Sequence, residues 1–542
     1  MSRLRRHYQG ARWDEPLIYE LGSPGERSVF PPETEVRIKE AVGNPLSRIP
    51  EDLRRKVPAD LPELSEPQVL RHYTRLSQMC LGVDVAVDMT GTCTMKYSPK
   101  VNELVTRRPE MTELHPSQDP TTMQGLLKIV HRLASMVCEI SGLDAATFQP
   151  GGGSQGIFAN ACIIRAYHLA RGQGSQRDEI ITTASSHPAD PAAASTAGYK
   201  VITLMPGPKG YATLEALEAV LSERTAGLMI TNPEDTGLFN PEIDRFVERV
   251  HEVGGLCAYD QANANGLLGI ARAGDIGFDL CQFNLHKTFS GPHSSNGQAC
   301  AAICVSEELA RFLPRPVVTF DGQQYGFEDP SESIGKVRGY LGNLQVVVKA
   351  YAWIRSLGAD GLKAAAQTAV LNSNYMARRL SQTAGFELPY DPTIRRLEQV
   401  RYSLSPLKEE TGIGGPEMKM RMIDFGQQHI FESHHPVLVP EPATIEPGES
   451  YSLDEIDEYL TVLETVALEA RADPKSAALG PYRSAQPRVD DVAQDDPDTW
   501  AMTWHARQRK PTACPLGFQF SRQPVEDIGI RAMIGRTGGR SG

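Results

Sequence analysis

A chain of 542 residues is long enough for two or three domains, and a 40% hydrophobic fraction with 47 glycines suits a large globular protein. Its 55 basic and 67 acidic side chains leave a net charge of −12, without the basic stripe that a nucleic-acid surface needs. No run reaches the roughly 18 apolar residues of a membrane span, and the start, Met1-Ser-Arg-Leu-Arg-Arg-His-Tyr8, lacks the apolar stretch of a secretory signal. These features describe a cytoplasmic protein with no membrane attachment and no nucleic-acid partner. The nine cysteines include no Cys-x-x-Cys pair and the thirteen histidines no His-Glu-x-x-His spacing, so neither a disulfide framework nor a metal site is expected.

In chain order, residues 1–65 are proline-studded with mixed charge and read as an irregular arm lying over a partner or over the main domain. The spacing of apolar residues predicts helices over 65–81 and 122–142, the second with an apolar face through Leu126, Ile129, Leu133 and Val137. From 143 to 306, short apolar runs alternate with helical ones. Strands are expected at 146–149, 179–184, 201–205, 227–231, 256–260, 280–284 and 301–305, with helices at 157–170, 214–222 and 244–253. That alternation defines an α/β fold with a mostly parallel sheet covered by helices on both faces, in a large domain spanning 66–339. Residues 340–475 read as a smaller C-terminal α+β domain, in which Ser452-Leu-Asp-Glu455 has the capping-box pattern of a helix start. The polar remainder, 476–542, reads as an extended tail.

Three clusters carry chemistry. Gln149-Pro-Gly-Gly-Gly-Ser-Gln-Gly156 lies between a strand and a helix, where glycines present backbone amides and a helix start favours an anion. It suits one phosphate, with Ser154 adding a hydroxyl, yet it lacks the Gly-Lys-Ser/Thr ending of a Walker loop and the acidic partner of a dinucleotide fingerprint. Ala258-Tyr-Asp-Gln-Ala-Asn263 ends an apolar strand on Asp260, at the edge where open α/β sheets bind ligands. Phe283-Asn-Leu-His-Lys-Thr-Phe-Ser290 puts Lys287 just after another strand, beside His286 and the hydroxyls of Thr288 and Ser290. A phosphate cradle, an acid for a pyridine nitrogen and an amine for an aldehyde together describe a pyridoxal 5'-phosphate site. His187, in Ser185-Ser-His-Pro-Ala-Asp190, is placed to stack on the ring.

From about residue 61 to 490 the chain resembles the pyridoxal-phosphate half of the glycine cleavage P protein, glycine dehydrogenase (decarboxylating) subunit 2. The likeness is carried by Leu61-Pro-Glu-Leu-Ser-Glu-Pro-Gln-Val-Leu-Arg-His-Tyr-Thr-Arg-Leu-Ser77, Cys93-Thr-Met-Lys-Tyr97, Thr231-Asn-Pro233 with Gly237-Leu-Phe239, and Gly274-Asp-Ile-Gly-Phe-Asp279. Above all it rests on Asn284-Leu-His-Lys-Thr-Phe-Ser290 followed by Pro292-His293. The resemblance implies the aspartate-aminotransferase-like fold (fold type I). It implies Lys287, Asp260, His187 and His286 as catalytic residues, and Gly153, Ser154, Gln155, Asn232 and Thr288 as further cofactor contacts beside Lys287, His187 and Asp260. It further implies glycine decarboxylation, with transfer of the aminomethyl group to the lipoyl group of an H protein. A homologous subunit 1 would then complete a hetero-oligomer, the heterotetramer of the two-subunit form. Some positions depart from the family pattern: Gln155 and Ile157 replace a His and a Glu, Asp190 replaces an Asn, and Gln261 replaces a Gly. They motivate an alternative expectation, a diverged pyridoxal phosphate enzyme acting on another small amino acid in a specialised pathway.

Overall fold

Short runs of branched and small apolar residues form a seven-stranded sheet: β1 (Ala145–Thr147), β2 (Glu179–Thr183), β3 (Lys200–Leu204), β4 (Thr225–Thr231), β5 (Leu256–Gln261), β6 (Leu280–Asn284) and β7 (Ala301–Val305). The computed structural model describes residues 11, 13, 15–28, 32–57, 59, 61–82, 84–91, 97–291, 299–427, 432–435 and 437–484. The order across the sheet is β1-β7-β6-β5-β4-β2-β3. Strands β2 to β6 are parallel, while β7 runs antiparallel to both β6 and β1. β1 therefore points the same way as the parallel strands, and its carboxyl end joins theirs along one edge.

Both faces of the sheet are buried, as a parallel sheet requires. Alternate residues of one strand feed two different cores. Ile180, Met229, Ala258, Leu280 and Ile303 pack with Ile157, Ile163 and Ile164 of the Gly153–Ala170 helix. Ile181, Leu228, Tyr259, Phe283 and Cys304 pack on the other side with the Gln124–Ser141 helix. That helix buries Leu126, Val130, Leu133 and Val137, so the stripe passes through Val130, with Ile129 only half-buried at its margin. It stops at Gly142, whose left-handed φ of 71° closes the last turn.

A third core belongs to the carboxyl-terminal part. There β10 (Val400–Ser403) pairs antiparallel with β11 (Pro442–Ile445), and the Leu453–Ala472 helix packs against them through Tyr459, Leu463 and Val466. Its start is capped as expected, with Ser452 Oγ accepting from the Glu455 amide and the Glu455 carboxylate accepting from the Ser452 amide. The Leu344–Leu380 helix serves two cores: Val346, Val347 and Trp353 join the sheet core, and Met376 and Leu380 join the carboxyl-terminal one. Its break falls at Gly358, φ 65°. A hairpin not expected from the strand pattern, β8 (Val317–Phe320) and β9 (Tyr325–Glu328), follows β7.

Residues 82–482 make up one compact unit, and the described residues before 82, with 483 and 484, another. Within the second, the Glu66–Gln78 helix begins at Ser65 with a capping box to Gln68, and His72 holds the Glu15 carboxylate at 2.8 Å. The amino-terminal stretch is not wholly irregular, because Val36–Val42 is helical. The tail from 485 onward lies outside the described residues. No described helix is long and apolar enough to cross a membrane.

Candidate active site at the carboxyl edge of the sheet

Parallel strands deliver their following residues to one edge, and the chemistry-bearing side chains gather there. Asp260 is near the end of β5, Thr231 ends β4, His187 follows β2, Lys287 lies three residues past β6, and the glycine run follows β1. Asp260 is fixed by three donors: the Ala262 amide (2.9 Å) and the Gln282 amide nitrogen reach Oδ1, and Thr231 Oγ1 lies 3.5 Å from Oδ2. Donors of this kind hold the buried carboxylate in one direction.

Lys287 is buried, 8% exposed, in the turn after β6, where its amide bonds to the Asn284 carbonyl at 3.1 Å. Next to it, His286 turns toward the start of β7, its Nδ1 lying 3.1 Å from the Cys300 carbonyl oxygen and 3.2 Å from the Cys300 amide. Thr288 Oγ1 accepts from the Ala264 amide at 2.9 Å, tying the loop after Asp260 to the loop that carries the lysine. Ser290 donates to the Tyr97 carbonyl at 2.7 Å. Residues 93–96 and 292–298, including Cys93, Pro292 and His293, lie outside the described residues.

His187 Nδ1 accepts from the Ala189 amide at 3.1 Å, which leaves the proton of the neutral ring on Nε2. Burial holds its pKa below the ordinary histidine value; Asp260 opposes that shift and Lys287 adds to it. An edge-to-face contact, 4.7 Å between centroids, joins it to His434 from the carboxyl-terminal part, whose pKa burial lowers to about 4. His435 reaches the same place, with Nε2 2.8 Å from the Ser186 carbonyl oxygen and 3.8 Å from Asp235 Oδ2.

The glycine run forms the first turn of the Gly153–Ala170 helix, with Gly152 as its cap. Its opening amides precede the first helical acceptors and remain available to an anion. Gly153 is pressed against Asn284, so that a Cβ there would sit 2.9 Å from the Asn284 amide nitrogen. A Cβ on Gly151 would sit 2.3 Å from the Arg338 guanidinium, which thus lies over the loop and adds positive charge. Gln155 accepts from the Gly151 amide at 2.7 Å and donates to the Val337 carbonyl at 3.1 Å, holding the loop's shape, while Ser154 is exposed. Asn232 has its side chain engaged elsewhere, accepting from the Asn240 amide at 2.8 Å and donating to the Asn240 carbonyl at 3.3 Å beside a cis bond to Pro233.

Thr231, Gln282, Asp190, Arg338 and the His434-His435 pair also belong to this place. Sequence reasoning did not single them out as site residues, although Thr231 and Asp190 stood inside quoted motifs. Asp235 ties the site to the small core through a buried pair with Arg401, 3.2 Å between Oδ2 and Nη2. Asp235→Ala would leave that guanidinium buried and unpaired, and is expected to cost about 3–5 kcal/mol, read as a lower denaturation midpoint at unchanged slope.

The sheet order, the glycine run and the strand-end acid and lysine define the class: this is a fold type I pyridoxal phosphate enzyme. A crystal structure of glycine decarboxylase (P-protein) of the glycine cleavage system, in inhibitor-bound form, shares the fold with a TM-score of 0.67, covering 81% of this chain and 99% of that one at 18% identity. The cysteine desulfurase CsdA from Escherichia coli shares it with a TM-score of 0.53 over 69% and 92% at 14% identity. Residues 152–314 match the aminotransferase class-V family, and residues 365–478 match the glycine dehydrogenase C-terminal domain family. The chain is 44% identical to the "probable glycine dehydrogenase (decarboxylating) subunit 2" of Pyrococcus horikoshii, covering 91% of this chain and 97% of that one. It is 39% identical to the protein of the same name from Aeropyrum pernix over 92% and 97%. The chain belongs to the glycine dehydrogenase (decarboxylating) subunit 2 family.

The residues present fit the cofactor of that class. The glycines keep side chains off the amides that open the Gly153–Ala170 helix, where Arg338 adds positive charge suited to a phosphate, and Asp260 is a braced buried carboxylate suited to a ring nitrogen. Asn284 Oδ1, Asn263 Nδ2 and Gln261 Oε1, from the loops that carry Lys287 and Asp260, are buried without protein hydrogen-bond partners, as the lining of a polar ligand's site would be.

Proposed function

We propose that this protein decarboxylates glycine and passes the remaining aminomethyl group to the lipoyl disulfide of an H protein. The observation that carries the reading is the convergence of Lys287, Asp260, His187 and the glycine loop on one edge of the sheet, in a chain of this family. Bound pyridoxal phosphate supplies an electron sink for the bond broken at the amino acid's α-carbon.

The chain's own residues do the rest. The amides opening the Gly153–Ala170 helix, with Arg338, bind the phosphate. Asp260 would pair with the ring nitrogen and favour its protonated form. Lys287 is the amine that would hold the aldehyde, and its Nζ would carry a proton to and from the reacting carbon. His187, held in its neutral form by burial and backed by His434, would stack on the ring and exclude water there. Glycine lacks a side chain, so a pocket that admits its aminomethyl group needs no specificity cavity beyond it.

The relatives carry the designation subunit 2, which supports a partner homologous to subunit 1 in a hetero-oligomer; a heterotetramer in the cytoplasm is part of the proposal. The carrier offers a direct test. Intact mass of a lipoylated H protein, incubated with glycine, this chain and its partner subunit, is expected to rise by one aminomethyl group plus hydrogen. Alanine and serine in place of glycine should give no adduct. An adduct from another amino acid and none from glycine would overturn the substrate assignment.

A further inference from the structure

Beneath the site, two buried carboxyl groups meet at one hydroxyl. Thr231 Oγ1 lies 3.2 Å from Asp190 Oδ2 and 3.5 Å from Asp260 Oδ2, and it accepts from the His187 amide at 3.1 Å. Asp190 and Asp260 are both nearly inaccessible, at 1% and 4% exposed. A hydroxyl has one hydrogen and two lone pairs. If both carboxyl groups were ionised, that single hydrogen would face two acceptors, and one carboxylate oxygen would be pressed against a lone pair. A proton on Asp190 completes the count. Asp190 then donates to Thr231 Oγ1, Thr231 donates to Asp260 Oδ2, and the His187 amide takes the second lone pair.

We infer that Asp190 is a positioning residue that carries a proton and, by donating to Thr231, aims the threonine hydrogen at Asp260, so that the two carboxyl groups hold one negative charge between them. The inference rests on the reading of Asp260 as the ring-nitrogen partner and names what orients it. The asymmetry has a visible cause. Asp260 also accepts from the Ala262 amide and from Gln282, whereas Thr231 is the partner that the structure gives the Asp190 side chain.

The surroundings agree. Burial first, and then the neighbouring charge of Asp260, hold the Asp190 carboxyl well above the usual carboxylate range, with Asp235 adding to it. Around the same turn stand His187, which feels Asp260, Asp235, Lys287 and His435, and beyond it His434. Two influences oppose: the hydrogen bond with Thr231 favours the charged form, and Asp190 lies in the first turn of the Ala189–Thr196 helix, where the helix dipole does the same. Burial beside two other carboxyl groups outweighs them.

The pH dependence has a definite sign. A native carboxyl that keeps its proton above the unfolded value near pH 3.9 contributes stability that is complete below that value and is lost as pH rises toward the native pKa. Wild type is therefore expected to lose stability relative to Asp190→Asn as pH rises above the unfolded carboxyl value, because asparagine donates the same hydrogen bond without titrating.

The test uses the full-length protein, first without cofactor. The infrared difference spectrum at neutral pH, wild type minus Asp190→Asn, is expected to show the carbonyl stretch of a protonated carboxylic acid. Should Asp190→Asn not fold, the same subtraction is made with Asp190→Ala. Melting temperatures should diverge in favour of Asp190→Asn as pH rises. With cofactor added, Asp190→Ala should weaken binding by about tenfold, the equivalent of one buried hydrogen bond, and Asp190→Asn should restore it to within about twofold. No acid band, together with a melting difference that ignores pH, would overturn the inference even if cofactor binds normally. An acid band in a protein that binds no pyridoxal phosphate would instead overturn the functional reading and the positioning role with it.

Discussion

Lys287→Ala is expected to remove the visible absorbance of bound pyridoxal phosphate and to lower glycine decarboxylation by about four orders of magnitude or more. The size of the effect follows from the lysine's place. It is buried in the turn after β6, at the edge where Asp260 and His187 also stand, and near enough to both histidines, His187 and His434, to depress their protonation. Alanine leaves neither the amine that holds the aldehyde nor the proton carrier. The backbone of the turn is secured separately, by the 287 amide to Asn284 and by Thr288 to the Ala264 amide. The variant should therefore fold, with an unchanged far-ultraviolet circular dichroism spectrum. His187 and His434 should titrate at higher pH once the neighbouring cation is gone, which proton NMR of the imidazole resonances reads. Retention of both absorbance and turnover would show that the amine has been misplaced.

Replacing Asp260 has the second largest expected effect, and two variants separate its parts. Asp260→Ala removes the acceptor for the Ala262 amide and for Gln282, and leaving those buried donors unpaired costs about 1–3 kcal/mol of stability. Asp260→Asn keeps an acceptor oxygen for them and removes the charge. Both are expected to lower kcat by about two to four orders of magnitude, because the charge is used where electrons leave the α-carbon. The asparagine variant should stay within about 1 kcal/mol of wild type in stability, as a substitution that preserves the bonded acceptor. An asparagine variant with wild-type kcat would mean that Asp260 serves the fold and not the reaction.

Much of this site was legible from strand ends. The runs that form β5 and β6 are apolar, and a single acid and a single lysine follow them, which was enough to place Asp260 and Lys287 at one edge. The glycine run was equally visible, although its glycines, poor helix formers, concealed that the helix already begins at Gly153 instead of at 157. Strand direction was not legible, because a buried antiparallel strand such as β7 has the same apolar pattern as a parallel one. The β8–β9 hairpin had a signal, Asp321-Gly322 between apolar stretches, in a segment to which no strand was assigned.

Residues brought in from afar were hidden for a different reason. The His434-His435 doublet stands in none of the motifs that the sequence offers. Nothing in its spacing shows that folding the small core against the large one sets His434 on His187 and His435 on the Ser186 carbonyl. Asp190 was visible as a departure from the family pattern, but its meeting with Asp260 depends on Thr231, the last residue of β4, which lies beside Asp260 in the register of the sheet. The pairing of two strands decides that contact, and spacing along the chain does not encode it.

This chain, with its partners, is expected to break the carboxyl bond of glycine. Exchange of labelled bicarbonate into the carboxyl group of glycine measures that bond, using the purified chain loaded with pyridoxal phosphate, a subunit 1 homologue and a lipoylated H protein. Label should enter glycine when all three proteins are present and should be lost with Lys287→Ala. No exchange from a mixture in which the chain visibly holds the cofactor and binds its partners would contradict it.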